Sequence, residues 1–164
     1  MYCFCRRPSS VSSSLYSKLD VITNKINQVG PWGGNGGSEW DMGAADRIIN
    51  IEIRAREVID GIAITFTRNG RTEAKNFGGP LGNPYEIPLQ VDEYLVGIEG
   101  SVDTILGITL VRNLTLRTNK ESYGPFGTSG GKPFSLPLLD GKIIGFFGRA
   151  GAVIDAIGVY LAPN

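Results

Sequence analysis

The chain has 164 residues, one domain's worth and enough to bury a sizeable core. Sixteen Lys and Arg balance sixteen Asp and Glu, so no net field draws in nucleic acid or an anionic membrane. The absence of histidine removes the commonest general base, the usual metal ligand and every Ser-His or Cys-His nucleophile.

The N-terminal stretch combines Arg6, Arg7 and several serines with no continuous apolar run, which makes it a poor secretory signal. Its composition faintly resembles an organelle transit peptide, but an unstructured extension over residues 1–28 is the preferred expectation, with a cytoplasmic or nucleocytoplasmic location. Cys3 and Cys5 are too few for a disulfide framework or a closed zinc site, and weakly suggest a reducing compartment. Leu15, Leu19, Ile22 and Ile26 fall at helical spacing, although Ile26 and Val29 can equally begin a first strand. No run approaches the roughly 18 apolar residues of a membrane span, so no membrane insertion is expected.

From Gly30 onward the chain consists of short β-type runs punctuated by glycine and proline. Residues 47–54 alternate Ile49, Ile51 and Ile53 with Asn50, Glu52 and Arg54, the period of a half-buried strand. Residues 62–67 reach Asn69-Gly70 and return through 71–74, a hairpin signal of the strongest short-range kind. Further strands are expected at 94–99, 105–110, 114–118, 143–147 and 156–161. Nothing after residue 30 shows a helical period, so the class is all-β.

Repetition is more informative than any single strand. Residues 30–38, 77–84 and 123–133 are three versions of one glycine-rich loop, and Val58-Ile59-Asp60-Gly61-Ile62 is echoed by Val153-Ile154-Asp155-Ala156-Ile157. Three similar units predict pseudo-threefold symmetry, each unit supplying a small sheet to a shared core. The last hairpin loop holds a carboxylate, Asp155, beside Gly148 and Gly151. If those glycines take positive φ, backbone N–H groups turn inward beside the acid and form a cup suited to a small polyhydroxyl molecule.

Gly-Pro-Trp-Gly-Gly-Asn-Gly-Gly at 30–37, Tyr-Gly-Pro-Phe-Gly at 123–127 and Gly-Phe-Phe-Gly-Arg-Ala-Gly-Ala-Val-Ile-Asp-Ala-Ile-Gly-Val-Tyr-Leu at 145–161 resemble the mannose-binding branch of the jacalin-related lectins. The resemblance runs from about residue 29 to 163. It implies a β-prism I fold, with three four-stranded antiparallel sheets in a lectin domain at 29–164. It also implies sugar binding without catalysis, cofactor or metal, and a homodimer or higher homo-oligomer whose partners are mannose- or glucose-containing glycans and glycoproteins. Galactose-preferring relatives are cut near the first glycine loop; this chain runs uncut through Gly30, which favours mannose or glucose.

By the same resemblance the Gly-x-x-x-Asp motif falls on Gly151, Ala152, Val153, Ile154 and Asp155. Asp155 accepts from two sugar hydroxyls, Ala152, Val153 and Asp155 donate their N–H groups, and Gly37 closes the far side. A possible second site is made by Glu57, Val58 and Asp60, with Gly82 facing. There the leading glycine is replaced by Arg56. If the position needs positive φ, this costs roughly 1–2 kcal/mol, and the long side chain can cover the cup. The third repeat, around Val102-Asp103-Thr104-Ile105, is out of register and is expected to hold no site.

Taken without the resemblance, one such loop is most simply a turn capped by aspartate. A glycoside hydrolase using Asp60 and Asp155 is an alternative. It needs the two carboxyls about 5–10 Å apart across one bond, whereas here they sit in different repeats. A non-binding structural β-module is a third reading. Trp32 is expected to pack beside the glycine loop, and Trp40 is left open. Residues 127–132 mimic a phosphate loop, but Pro133 stands where Ser or Thr must hold magnesium. Asn113-Leu114-Thr115 is a glycosylation sequon inside an expected strand, and so is expected to be unused.

Overall fold

A computed structural model of the protein describes residues 26–164. The cysteines and most of the helical spacing of Leu15, Leu19 and Ile22 lie outside the described residues. Ile26 immediately precedes the first strand. Every regular element among the described residues is a strand: β1 (Asn27–Gly33), β2 (Ser38–Asp41), β3 (Arg47–Ala55), β4 (Ile59–Arg68), β5 (Arg71–Gly78), β6 (Asn83–Pro88), β7 (Leu95–Ile105), β8 (Ile108–Thr118), β9 (Ser122–Gly127), β10 (Lys132–Pro137), β11 (Lys142–Ala150) and β12 (Ile154–Ala162).

These strands form three antiparallel four-stranded units with the same order. One runs β5-β4-β3-β6, a second β9-β8-β7-β10 and the third β1-β12-β11-β2. The last two are joined only by the pair Ile143↔Leu95. Each unit is a long central hairpin flanked by two shorter strands, and each hairpin carries irregularities at matching places. The register shifts at Ile48/Asn50, Leu95/Gly97 and Ile143/Gly145 near the base, and again at Arg54/Ala55, Ser101/Val102 and Arg149/Ala150 near the tip. A bulge bends its strand and increases local twist, so matching bulges give the three sheets matching curvature around the shared core. This is the pseudo-threefold arrangement that the repeats predict and the β-prism that the resemblance implies.

Isoleucine dominates that core. Ile51, Ile53, Ile62, Ile64, Ile87, Ile98, Ile154 and Ile157 are fully buried with Phe66 and Phe146 between them; each such side chain contributes about 1.5–3 kcal/mol relative to exposure. The alternation expected in β3 holds from Ile51 onward. It slips by one residue at the first bulge, so Ile48 rather than Ile49 faces inward. Trp32 stacks on Phe134 with centroids 4.7 Å apart, and Trp40 is buried against Phe77 at 4.3 Å. Both indoles are structural.

Several expected boundaries need correction. The glycine-rich blocks are in large part strand: β1, β6, β9 and β10 carry Pro31, Pro84, Pro125 and Pro133. All four are outer strands paired on one side only, where a missing N–H need not break a ladder. Residues 105–110 do not form one strand, because β7 and β8 are joined by a turn at Leu106-Gly107. The Asn69-Gly70 turn is as expected, with φ of 52° and 75°. Asn113 of the sequon donates its side-chain amide to Ser101 at 2.6 Å and to the Thr128 carbonyl at 2.8 Å within β8.

Candidate functional site

At one end of the prism the loops interlock around the pseudo-threefold axis. A Cβ on Gly34 would collide with Thr109, and one on Gly79 with the Ala152 carbonyl, while the Thr128 hydroxyl donates to the Glu57 carbonyl at 2.7 Å. Each glycine loop thus leans on the hairpin tip of a neighbouring unit. Glycine serves here by allowing close backbone approach.

The β11–β12 tip is the open one. The Gly151 N–H donates to the Val153 carbonyl at 3.0 Å, which folds the loop into a tight turn. The Ala152 and Val153 N–H groups donate to no backbone carbonyl. Asp155 is the second residue of β12; its carbonyl accepts from the Gly34 N–H at 2.9 Å, and its carboxylate faces Gly36 and Gly37. A Cβ on Gly36 would come within 2.6 Å of Oδ1, and one on Gly37 within 2.7 Å of Oδ2. Gly37 takes φ of 64°, a conformation in which any side chain is strained as well as crowded. The structure therefore brings Gly37, Gly151, Ala152, Val153 and Asp155 into one cup.

Neither Gly148 nor Gly151 has positive φ, which corrects the expected reason for those glycines. A Cβ on Gly148 would run into the Ala156 carbonyl of the partner strand, so that glycine serves close strand packing. A Cβ on Gly151 would sit 3.5 Å from Gly37 Cα, across the mouth of the cup. Its absence keeps the cup open.

Arg149 escaped the sequence reading. Its Nε donates to the Gly36 carbonyl at 3.1 Å and its Nη2 to the Gly37 carbonyl at 3.0 Å, while Nη1 lies 3.5 Å from Glu39. The guanidinium thereby pins the wall opposite Asp155 without bonding to the acid. Burial pushes the Asp155 carboxyl above the usual aspartate range; the Arg149 charge and the N–H groups of Gly151 and of Asp155 itself oppose this without cancelling it. An incompletely compensated carboxylate, 4 % exposed, lies beside free N–H donors. That arrangement suits a neutral ligand carrying neighbouring hydroxyls.

The β3–β4 tip repeats this geometry closely. Arg56 N–H donates to the Val58 carbonyl at 3.2 Å, Gly79 N–H to the Asp60 carbonyl at 2.9 Å, and a Cβ on Gly82 (φ 97°) would meet Asp60 Oδ2 at 2.5 Å. Arg54 stands where Arg149 does, with Nε on the Gly79 carbonyl at 3.1 Å. The signal for both arginines was present in the chain: the repeat extends upstream as Arg-Ala-x-x-Val-Ile-Asp at 54–60 and 149–155. The difference lies in Arg56. It does not have positive φ, so the backbone penalty expected for it does not exist. Its guanidinium instead lies on the cup's acid, with Nη2 3.1 Å from Asp60 Oδ1 and Nε 3.5 Å from Oδ2. Glu57, Val58, Asp60 and Gly82 are thus brought together around a carboxylate that already has a cationic partner.

In the third unit the strands stay paired through Asp103↔Leu110, Thr104↔Thr109 and Ile105↔Ile108, which zips the loop shut. Asp103 is ion-paired with Arg112.

The jacalin-like lectin domain model matches residues 29–160. Jacalin-related lectin 19 of Arabidopsis thaliana is 39% identical over 139 residues, covering 82% of this chain and 79% of that protein. A mannose/glucose-specific lectin of Parkia platycephala is 38% identical over 144 residues, covering 82% of this chain, which spans about a third (32%) of that longer protein. Among solved structures, wild-type Malaysian banana lectin superposes with a TM-score of 0.84 at 55% identity, covering 85% of this chain and 100% of that one. Agreement that runs from β1 to β12 in both sequence and architecture shows that the chain belongs to the jacalin-like lectin domain family.

Proposed function

We propose that this lectin binds mannose- or glucose-type glycans in the cup formed by Gly37, Gly151, Ala152, Val153 and Asp155, without metal, cofactor or bond cleavage. The observation that carries the reading is the Asp155 carboxylate, buried yet free of any side-chain cation because Arg149 is engaged with the Gly36 and Gly37 carbonyls. Vicinal sugar hydroxyls supply the donors it lacks, and such charge-assisted bonds contribute about 1.5–3 kcal/mol each. The mannose/glucose specificity stated for the Parkia relative supports the choice of sugar.

A shallow cup with few apolar contacts gives weak monosaccharide affinity, of millimolar order, or about 4 kcal/mol. Useful avidity then comes from several sites on one glycan, so the protein acts as a dimer or higher homo-oligomer. A hydrolytic role for Asp60 and Asp155 is disfavoured by their placement at two different hairpin tips and by the Arg56 guanidinium on Asp60. Among the described residues no group of three acids or cysteines is gathered to hold a metal ion. Titration calorimetry with methyl α-mannoside, with and without EDTA, tests both points. The same weak binding is expected in each buffer, and 4-nitrophenyl α-mannoside should release no nitrophenol. Steady release would replace the lectin reading with an enzymatic one.

Acid should switch this site off. The carboxylate accepts hydroxyl protons only when ionised, so affinity is present above the folded pKa of Asp155 and is lost as pH falls through it. That window is shifted upward from the ordinary aspartate value of about 3.9. The linkage on stability has the opposite sense. With a raised folded pKa, the group's contribution to the fold is present at low pH and lost as pH rises through that value. Binding should therefore fail on acidification before Asp155 itself gives the fold any reason to unfold, as calorimetry and circular dichroism in parallel would show. Affinity that stays flat even well below the ordinary aspartate value would exclude Asp155 as the acceptor.

A further inference from the structure

The chain contains two Asn-Gly pairs, at 35–36 and 69–70, and the structure places them in opposite circumstances. Asparagine followed by glycine is the most easily deamidated dipeptide, because no side chain shields the glycine nitrogen from the asparagine Cγ. Asn69-Gly70 is protected by its turn. Asn69 has φ of 52° and donates its backbone N–H to Asp46 Oδ2 at 2.8 Å, while Arg68 pairs with Arg71 to close the hairpin. The five-membered ring formed in deamidation needs a backbone conformation outside the left-handed region, so this turn must open before Asn69 reacts.

Asn35-Gly36 has no such protection. It lies between β1 and β2 with neither residue in the left-handed region, and Asn35 is exposed. Neither the Asn35 side chain nor the Gly36 N–H has a hydrogen-bond partner among the described residues. Asn35 borders an open depression of about 410 Å³ with Pro31, Glu39 and Arg149, which gives water a path to it. The same dipeptide is built into the wall of the sugar cup. The Gly34 N–H before it is anchored on the Asp155 carbonyl at 2.9 Å, and the Gly36 carbonyl within it accepts from Arg149 Nε at 3.1 Å. Between those two anchors Gly36 approaches Asp155 so closely that a Cβ would lie 2.6 Å from Oδ1.

We infer that Asn35-Gly36 is a modification site through which the lectin loses its cup as it ages. The Gly36 nitrogen attacks Asn35 Cγ; the new N–C bond forms as the Cγ–NH2 bond breaks, and ammonia leaves carrying the Gly36 proton. One water then opens the succinimide. Opening at Cγ gives aspartate, and opening at the backbone carbonyl gives isoaspartate, in which the chain runs through Cβ and Cγ and is one carbon longer. Both products place a new negative charge one residue from the Gly36–Asp155 contact. Isoaspartate also lengthens the segment between the Gly34 and Gly36 anchors, so the wall cannot keep both. Because the attacking nitrogen must shed its proton, conversion speeds up as pH rises. The loss of binding rests on the sugar reading of the cup; the chemistry at Asn35 does not.

The test incubates the full chain in warm, mildly alkaline buffer and follows it by peptide mapping, by labelling with a protein isoaspartyl methyltransferase and by calorimetry with methyl α-mannoside. Asn35 should convert at least roughly tenfold faster than Asn69, the factor that a barrier difference of about 1.4 kcal/mol supplies. Methyl incorporation should rise with it, and the number of binding sites per chain should fall in proportion, with an unchanged circular dichroism spectrum. Asn35→Gln, whose longer side chain must close a slower six-membered ring, should keep its full stoichiometry through the same incubation. Conversion of Asn35 no faster than Asn69 overturns the site. Full stoichiometry in material converted at Asn35, an equal loss in Asn35→Gln, or unfolding in step with the loss overturns its link to the cup. Fresh protein that does not bind methyl mannoside overturns the sugar reading and that link together, while the mapping still decides the chemistry at Asn35.

Discussion

Replacing Asp155 by alanine is expected to weaken methyl α-mannoside binding at least roughly a hundredfold, which from a millimolar start means no measurable heat. The carboxylate is the only side-chain acceptor in the cup, and losing two charge-assisted bonds at about 1.5–3 kcal/mol each accounts for that factor. The fold should survive. Asp155 sits near the start of β12, its backbone carbonyl still accepts from Gly34, and Arg149 still holds the Gly36-Gly37 wall. Burial already disfavours its charged form, so removing it relieves a desolvation penalty as well as deleting contacts. A melting temperature close to wild type with no calorimetric binding is the expected pair of results. Undiminished binding by Asp155→Ala would remove the cup from the assignment.

Replacing Arg56 by glycine is expected to raise the stoichiometry of methyl mannoside from one to two per chain. The β3–β4 tip has the turn, the facing glycine, the anchored carbonyl and the acid of the β11–β12 tip, and differs in having a cation on the acid. A tethered guanidinium competes with a sugar at very high effective concentration, so a weak monosaccharide does not displace it. Removing it should leave Asp60 in the state Asp155 already occupies, with Gly82 opposite and the Glu57, Val58 and Asp60 backbone alongside. Because φ at residue 56 suits an ordinary residue, the glycine is chosen for the space it leaves. A stoichiometry that stays at one, in a variant that folds and still binds at Asp155, would mean the second cup is closed by more than Arg56.

The contrast between the two cups shows how much of the site was legible in the chain. The pairing of Val58-Ile59-Asp60 with Val153-Ile154-Asp155 located both acids, and the glycine-rich repeats located their facing walls. Of the two reasons the chain offers for Arg56 to matter, the φ penalty does not hold and the covering side chain does, because a glycine can be required either for its φ or for its missing side chain. Those requirements look identical in a sequence. Arg149 was passed over for a related reason: its role is defined by carbonyls more than a hundred residues earlier, with which no local pattern connects it.

The fold divides in the same way. Buried alternation in β3, the Asn-Gly turn and three repeated units are local or periodic signals, and they were enough to establish an all-β chain of three similar sheets. The outer strands were hidden by their own glycines and prolines, which are tolerated only because each such strand pairs on one side. Leu106 concealed a turn by breaking the residue preference that usually reveals one.

What the sequence alone determined is the inventory: no histidine, balanced charge, two Val-Ile-Asp tips and the glycine loops to face them. Its repeat made threefold symmetry the economical solution for burying so many isoleucines. What only the tertiary structure decided is which tip is open. That depends on whether a carboxylate meets a guanidinium or an empty space, a matter of a few ångströms between side chains. Chain composition cannot encode that distance without the bulged strands that set it.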